Sequence, residues 1–438
     1  MQILPATPTF TISMPTGTSS LPLVELDKNQ VTAKGKQIRL RKNSQRRKAS
    51  HCSFGNFKDR LDFKAIEFFH AAKKTELTRS FSHKELERQA TAFATEYDDS
   101  FIWNTTNFRK TNRNIFSLTE FDSSRLAGRV GEAIAYLTMV KWDYVYWDRC
   151  TTIWQRAAQA AKIEHREQVK VAKYLKSKIS SGKPDNEPDF VFEKSTREVA
   201  LMEAKGGFVH PTYDDPSTKG DLAQALTQLT AWSRVISPAP SKSFGIGTYL
   251  REEGDSTGDP SLVAFVDPEG EPNINIPVVE IPSDLVRRCN YGAWLSGMGL
   301  VTAGRALRDL RSKVPEAVSL PVVRIMNREF AVTVLGWKVS LLDMLDTFFW
   351  WPDRLQYVDH ISGILAVGLE VNTLEIVGSA IHHPTEPVLL RLDNQSLIPV
   401  RRENDNINWS LMPDGSCVLI LDRESFRESI QEWRTFKI

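Results

Sequence analysis

The stretch PDFVFEKSTREVALMEAKGG, residues 188–207, decides how the chain is read. Two apolar runs flank the polar segment Ser195–Arg197, the pattern of two short strands joined by a turn. Side chains at i and i+2 of a strand share a face. Glu203 and Lys205 therefore point together, with Val199 and Leu201 behind them, while Met202 and Ala204 face the other way. Asp189 opens the first strand after Pro188, and a turn near Ser195–Arg197 returns Glu203 towards it. Charges on strands this apolar carry a desolvation cost, so the pattern calls for something that needs them.

Two carboxylates brought together repel, and one is driven to hold a proton unless a cation bridges them. A hard divalent ion suits such an all-oxygen site, Mg²⁺ first and Mn²⁺ as a substitute. The ion polarises a phosphoryl oxygen and lowers the pKa of a bound water. A lysine on the same face then holds or deprotonates the attacking water and stabilises developing charge. Phosphodiester hydrolysis requires these parts, whereas small-molecule redox or acyl-transfer chemistry does not use them.

The hairpin resembles the core motif of the PD-(D/E)XK nuclease superfamily, with Pro188-Asp189 as the PD and Glu203-Ala204-Lys205 as the ExK. In that family an acidic residue sits on a helix before the hairpin, and here GRVGEAIAY supplies Glu132 in the same order. The resemblance continues after the hairpin with QLTAW, Gln228 to Trp232. RecB-like members carry a Gln there and a Tyr four residues on; Trp232 replaces that Tyr, which leaves the subfamily open. Positions i and i+4 share a helix face, so Gln228 and Trp232 are expected to look the same way. The likeness covers about residues 120–270 and implies a restriction-endonuclease-like core. It also implies that Asp189, Glu203 and the Ala204 backbone carbonyl bind metal, that Lys205 is the catalytic lysine, and that Glu132 completes the acidic cluster. Gln228 would orient the lysine or contact substrate, with Gln224 one helical turn earlier as the alternative.

The expected fold class is α/β, a central mixed β-sheet flanked by helices with an additional β-rich C-terminal domain. At 438 residues the chain has room for two or three domains. Residues 1–55 read as a flexible arm, Thr-, Ser- and Pro-rich at first and without the basic start of a secretory signal. Residues 56–119 read as a helical region, including the capping-box pair Ser82 and Glu85. Residues 120–270 form the nuclease-like domain, in which TIWQRAAQAAKIEHREQVKVAKYLKSKI reads as one long helix. Residues 271–438 hold a helical connector and the β-rich remainder, whose GILAVGLEVNTLEIVGSAI reads as paired strands, too charged at Glu370 and Glu375 to cross a bilayer. Cys52, Cys150, Cys289 and Cys417 lie far apart with no CxxC spacing, against a zinc site or a disulfide framework and in favour of a reducing, cytoplasmic setting.

The formal net charge is only +2, so the balance of the whole chain is uninformative. Its distribution is not: Lys34, Lys36, Arg39, Arg41, Lys42, Arg46, Arg47 and Lys48 follow one another with no acidic residue between. Such a block is either a solubilising tail or an arm that contacts nucleic acid. Lys162, Arg166, Lys170 and Lys173 make a basic stripe on one helix face that suits phosphates, although Glu164 and Glu167 beside them equally suit a solvated face. His210, His382 and His383 lack partners at ligand spacing and read as polar loop residues. The aromatic run Phe348–Trp351 reads as packing rather than base stacking. The expected partner is DNA rather than RNA, with no membrane, in defence, restriction or a toxic effector. The C-terminal domain is the candidate surface for a protein partner or a second copy of the chain. A nuclease-like fold that binds or assembles without cleaving, or a subunit of a larger recombination or RNA-processing complex, is the alternative.

Overall fold

The computed structural model describes residues 17–26, 31, 59–76, 101–103, 105–111, 120–160, 187–208, 216–254, 260–267, 279–310, 316–336, 364–394, 408–421 and 428–438. In chain order the first half runs β1 (Thr18–Glu25), β2 (Asp59–Lys64), α1 (Ala65–Glu76), β3 (Phe101–Ile102) and β4 (Arg109–Lys110). It continues with α2 (Glu120–Lys141), β5 (Tyr144–Arg149), α3 (Cys150–Ala160), β6 (Phe190–Lys194) and β7 (Val199–Gly207). Then follow α4 (Pro216–Trp232), β8 (Ile236–Ser237), β9 (Lys242–Tyr249), β10 (Leu262–Val266) and β11 (Val279–Glu280). The second half holds α5 (Leu285–Gly297), α6 (Val301–Arg308), β12 (Ala317–Ile325), β13 (Arg328–Gly336), β14 (Ile364–Glu370) and α7 (Val371–His382). It ends with β15 (Asn408–Leu411), β16 (Ser416–Leu421) and β17 (Ile430–Lys437).

The class is α/β as the residue pattern implies. Seven strands form a mixed sheet in the order β2-β1-β10-β9-β7-β6-β5. Within it β7 runs parallel to β9 and β1 parallel to β10; the other neighbours are antiparallel. A second sheet, β15-β16-β14-β13-β12-β17, is antiparallel throughout.

Local chemistry explains the hairpin at the centre of the first sheet. Lys194 donates its N–H to the Glu198 carbonyl at 2.9 Å, and Arg197 donates back to Lys194 at 2.9 Å. Arg197 takes the left-handed conformation (φ 68°) that ends a three-residue hairpin loop, at the predicted turn. Helix α2 buries the stripe Leu126, Val130, Ala133, Ile134 and Leu137. It stops where Asp143 turns left-handed (φ 65°), a conformation Asp tolerates better than most residues. The chain then enters β5 directly.

Helices cover both faces of the mixed sheet. Directly paired strand residues share a face, and Gly245 pairs with Glu203. A Cβ at Gly245 would stand 3.2 Å from that of Ala225, which places α4 on the Glu203 face. On the opposite face a Cβ at Gly131 would lie 2.9 Å from the Gly206 Cα, so α2 meets β7 backbone to backbone.

Three readings from sequence need correction. Thr18–Glu25, assigned to the flexible arm, is a strand between β2 and β10, with Leu21 and Leu23 buried; its apolar alternation is short and surrounded by Thr and Pro. Asp59–Lys64, assigned to a helical region, is a strand whose alternate residues Leu61 and Phe63 are buried. Val371–His382, read as a second strand, is a helix: Val371, Leu374, Val377 and Ile381 recur at helical spacing and are all buried. The long helix expected from residue 152 is described as far as Ala160, and the Ser82–Glu85 capping box and Phe348–Trp351 lie outside the described residues.

Buried polar groups tie the second half to the first. Lys74 on α1 pairs with Asp414 in the β15–β16 turn, where Asn290 also donates to Asp414 at 2.9 Å. Burial would raise the Asp414 carboxyl, but Lys74, Ser416 and Asn290 outweigh it and hold it below its ordinary value. His70 lies between the hydroxyls of Ser410 (3.0 Å) and Ser416 (3.2 Å), and burial followed by the Lys74 charge keeps its pKa well below the usual histidine range. Arg287 on α5 donates to Glu193 of β6 at 2.7 Å, and Trp294 donates to the Gly368 carbonyl at 2.8 Å.

Two glycines in the helix–strand contact make a test. A Cβ on Gly206 would collide with the Ala127 carbonyl, whereas nothing lies within 4 Å of one on Gly128. Gly206→Ala is expected to lose about 3 kcal/mol or more through overpacking. Gly128→Ala should gain about 1 kcal/mol from helix propensity. Denaturant unfolding of both variants reads the difference.

Candidate functional site

The hairpin delivers its charges as strand alternation requires. Lys205 Nζ donates to Glu203 Oε1 at 2.5 Å. Asp189 and Glu203 are interlocked through the backbone: the Asp189 N–H donates to Glu203 Oε2 at 3.0 Å, and the Ala204 N–H donates to Asp189 Oδ2 at 2.9 Å. The β6–β7 ladder ends at Phe190–Met202, whereas β7 stays paired with β9 as far as Gly207. Beyond Met202 the β6 side of β7 is therefore an edge of the ladder. A strand residue directs its N–H and C=O to the same side, so the Ala204 carbonyl faces this edge together with Asp189.

Glu132 reaches the same region because Gly131 lets α2 approach Gly206 so closely. Its carboxylate is gripped at both oxygens by Arg149, at 3.1 and 2.7 Å, and Arg149 Nη1 stands 3.6 Å from Asp189 Oδ1. Arg149 is the site residue that sequence reasoning missed. The signal lay in YVYWDR, an aromatic and β-branched run between two helices that ends in a charge.

Gln228 is buried on α4, the helix packed on the Glu203 face, and its Oε1 has no hydrogen-bond partner among the described residues. Gln224 one turn earlier is exposed. Trp232, on the same helix face as Gln228, is buried and packs edge-on against Trp154 at 5.4 Å. Lys162, Arg166, Lys170, Lys173, Arg46, Arg47 and His210 lie outside the described residues.

The electrostatics are those of a site with surplus negative charge. Burial, then the neighbouring Asp189 charge, push the Glu203 carboxyl up to about 8 against the pull of Lys205. Burial raises Glu132 to about 7 despite Arg149, and it raises Asp189 as well. Burial would lower the Lys205 ammonium, but Glu203 and Asp189 outweigh it and raise its pKa. At neutral pH Lys205 is a proton donor, which suits charge stabilisation and not deprotonation of water.

Buried carboxylates that resist ionisation, with a carbonyl at the same edge, are a hard-cation donor set. Asp189, Glu203 and the Ala204 carbonyl are the oxygens at this edge that could hold such an ion. Glu132 is turned to Arg149 instead, and among the described residues no three His, Cys, Asp or Glu side chains are grouped to hold a metal ion. No helix among them is long and apolar enough to cross a membrane. No protein-family model matches the chain, and no curated protein or solved structure matches it significantly.

A carboxyl whose folded pKa lies above its unfolded value keeps its proton longer in the folded chain, so its ionisation opposes folding. The stability tied to Glu203 should be full below about pH 4.5 and be lost as pH rises towards about 8. Thermal melts from pH 5 to 8.5 without divalent ions should fall less steeply for Glu203→Gln than for the wild type. Parallel curves would show that Glu203 ionises normally.

Proposed function

We propose that the chain is a metal-dependent nuclease of the PD-(D/E)XK, restriction-endonuclease-like type, acting on the phosphodiester bonds of DNA at the hairpin edge. The observation that carries this reading is the interlocked pair Asp189–Glu203 with Lys205 at 2.5 Å on the same strand face, all at the point where the β6–β7 ladder opens. Strands place these groups, so their separation does not depend on a loop. The upstream Glu132 and the inward-facing Gln228 are in the order the resemblance implies.

Asp189, Glu203 and the Ala204 carbonyl would hold Mg²⁺, or Mn²⁺ in its place. Bound there, the ion would supply Lewis acidity to a phosphoryl oxygen and a more acidic water. The chain's own residues then have separate tasks. Lys205 donates to the negative charge that develops on the phosphoryl oxygens. Glu203 keeps Lys205 in place and holds it protonated. The Gln228 carbonyl, buried with no hydrogen-bond partner among the described residues, would accept a hydrogen bond from substrate. The basic block Lys34–Lys48 would add affinity that is independent of base sequence.

A second reading has one observation in its favour: the charges at the edge are answered within the chain, Glu132 by Arg149 and Glu203 by Lys205. A protein that binds nucleic acid on this fold without cleaving it would look the same. Supercoiled, linear and single-stranded DNA and RNA, each with Mg²⁺, Mn²⁺ or EDTA, separate the two. Cleavage of DNA that EDTA stops, falling roughly 10²–10³-fold in Lys205→Ala while the fold persists, is the expected result. Binding with no cleavage in either metal would leave the second reading standing.

A further inference from the structure

Among the described residues two cations answer the carboxylates at the β7 edge, and the resemblance assigns a role to only one of them, Lys205. The other, Arg149, is the last residue of β5 and pairs with Phe190, so strand register puts its side chain on the Met202 face of the sheet, where α2 brings Glu132. Its fork donates to both oxygens of Glu132 at 3.1 and 2.7 Å. Nη1 stands 3.6 Å from Asp189 Oδ1, and Nη2 donates to the Thr75 carbonyl at 3.4 Å. The guanidinium lies 4.5 Å over the Phe190 ring. Contacts on so many sides distinguish it from a solvated surface arginine.

Arg149 is also placed where it obstructs. A bidentate grip uses both oxygens of Glu132, so that carboxylate cannot meet a divalent ion and keep its arginine in full. Asp189 faces the same choice at longer range.

We propose that Arg149 is a built-in counter-ion that competes with the divalent ion for Glu132 and Asp189, a positioning residue that holds the acidic cluster together until metal displaces it from Glu132. The inference rests on the nuclease reading, since it assumes a cation site at the hairpin. One fixed positive charge stands in for part of the ion's charge, which lets the carboxylates sit close together in a folded chain. Metal entry then exchanges one cation for another. Lysine would compete less well, because it lacks the planar fork that matches a carboxylate at two points.

Calorimetric titration of Mn²⁺ into the full chain tests this without any activity readout, using wild type, Arg149→Gln and Arg149→Lys. The dissociation constant is expected to tighten about 10-fold in Arg149→Gln, with Arg149→Lys in between, because an adjacent repelling charge is gone. The metal-free melting temperature of Arg149→Gln should fall, and its rise on adding Mn²⁺ should exceed that of the wild type. Equal or weaker binding in folded Arg149→Gln overturns the competition and leaves the nuclease reading standing. Mn²⁺ bound by none of the three overturns both. If Arg149→Gln does not fold, Arg149→Lys against wild type decides: tighter binding supports the competition, and equal or weaker binding ends it.

Discussion

The contact between Gly131 on α2 and Gly206 on β7 is the constraint on which the site depends. A helix normally keeps its axis well away from a strand because side chains stand between them. Here two absent side chains let backbone meet backbone. Glu132, the next residue on the helix, is thereby carried to the edge where Asp189 and Glu203 already stand. Gly206, the first of the two glycines that follow Lys205 in the sequence, thus has a packing role, and packing is what assembles the acidic cluster.

Once assembled, the cluster has a charge problem that the chain solves in two ways. Lys205 and Arg149 supply positive charge at fixed points. Backbone N–H groups of Asp189 and Ala204 stabilise the two hairpin carboxylates without adding charge. Neither measure is sufficient, since Glu132, Asp189 and Glu203 all remain harder to ionise than ordinary carboxyls. Breaking a buried ion pair on one side leaves an uncompensated charge, so these groups act as one unit. The Lys74–Asp414 pair shows the contrasting case, a buried charge answered by several donors whose acid is held below its usual pKa.

How much of this could be read from the residues follows from the range of each signal. Strand alternation is local, so the shared face of Glu203 and Lys205 and the turn at Ser195–Arg197 were legible in PDFVFEKSTREVALMEAKGG. The inward side of α4 was legible as a spacing, and burial separates Gln228 from the exposed Gln224. Arg149 was legible only as the charge that ends the strand YVYWDR; its position beside Glu132 is a product of the β5–β6 register and of helix packing, neither of which is local. Val371–His382 was misread because an apolar segment carries strand and helix periods at once, and packing decides between them. The strand at Thr18–Glu25 was hidden by the composition around it.

Anchoring of α1 extends the dependence across the molecule. Its Lys74 is fixed in the β15–β16 turn and its His70 between Ser410 of β15 and Ser416 of β16, and the carbonyl of the neighbouring Thr75 holds Arg149. The second sheet therefore braces the helix that braces the site. The central claim, that the hairpin edge is a divalent-cation site, is tested most directly by anomalous diffraction from crystals grown with Mn²⁺. The account predicts a peak between Asp189 and Glu203, beside the Ala204 carbonyl. Full Mn²⁺ occupancy elsewhere with that edge unchanged would contradict it.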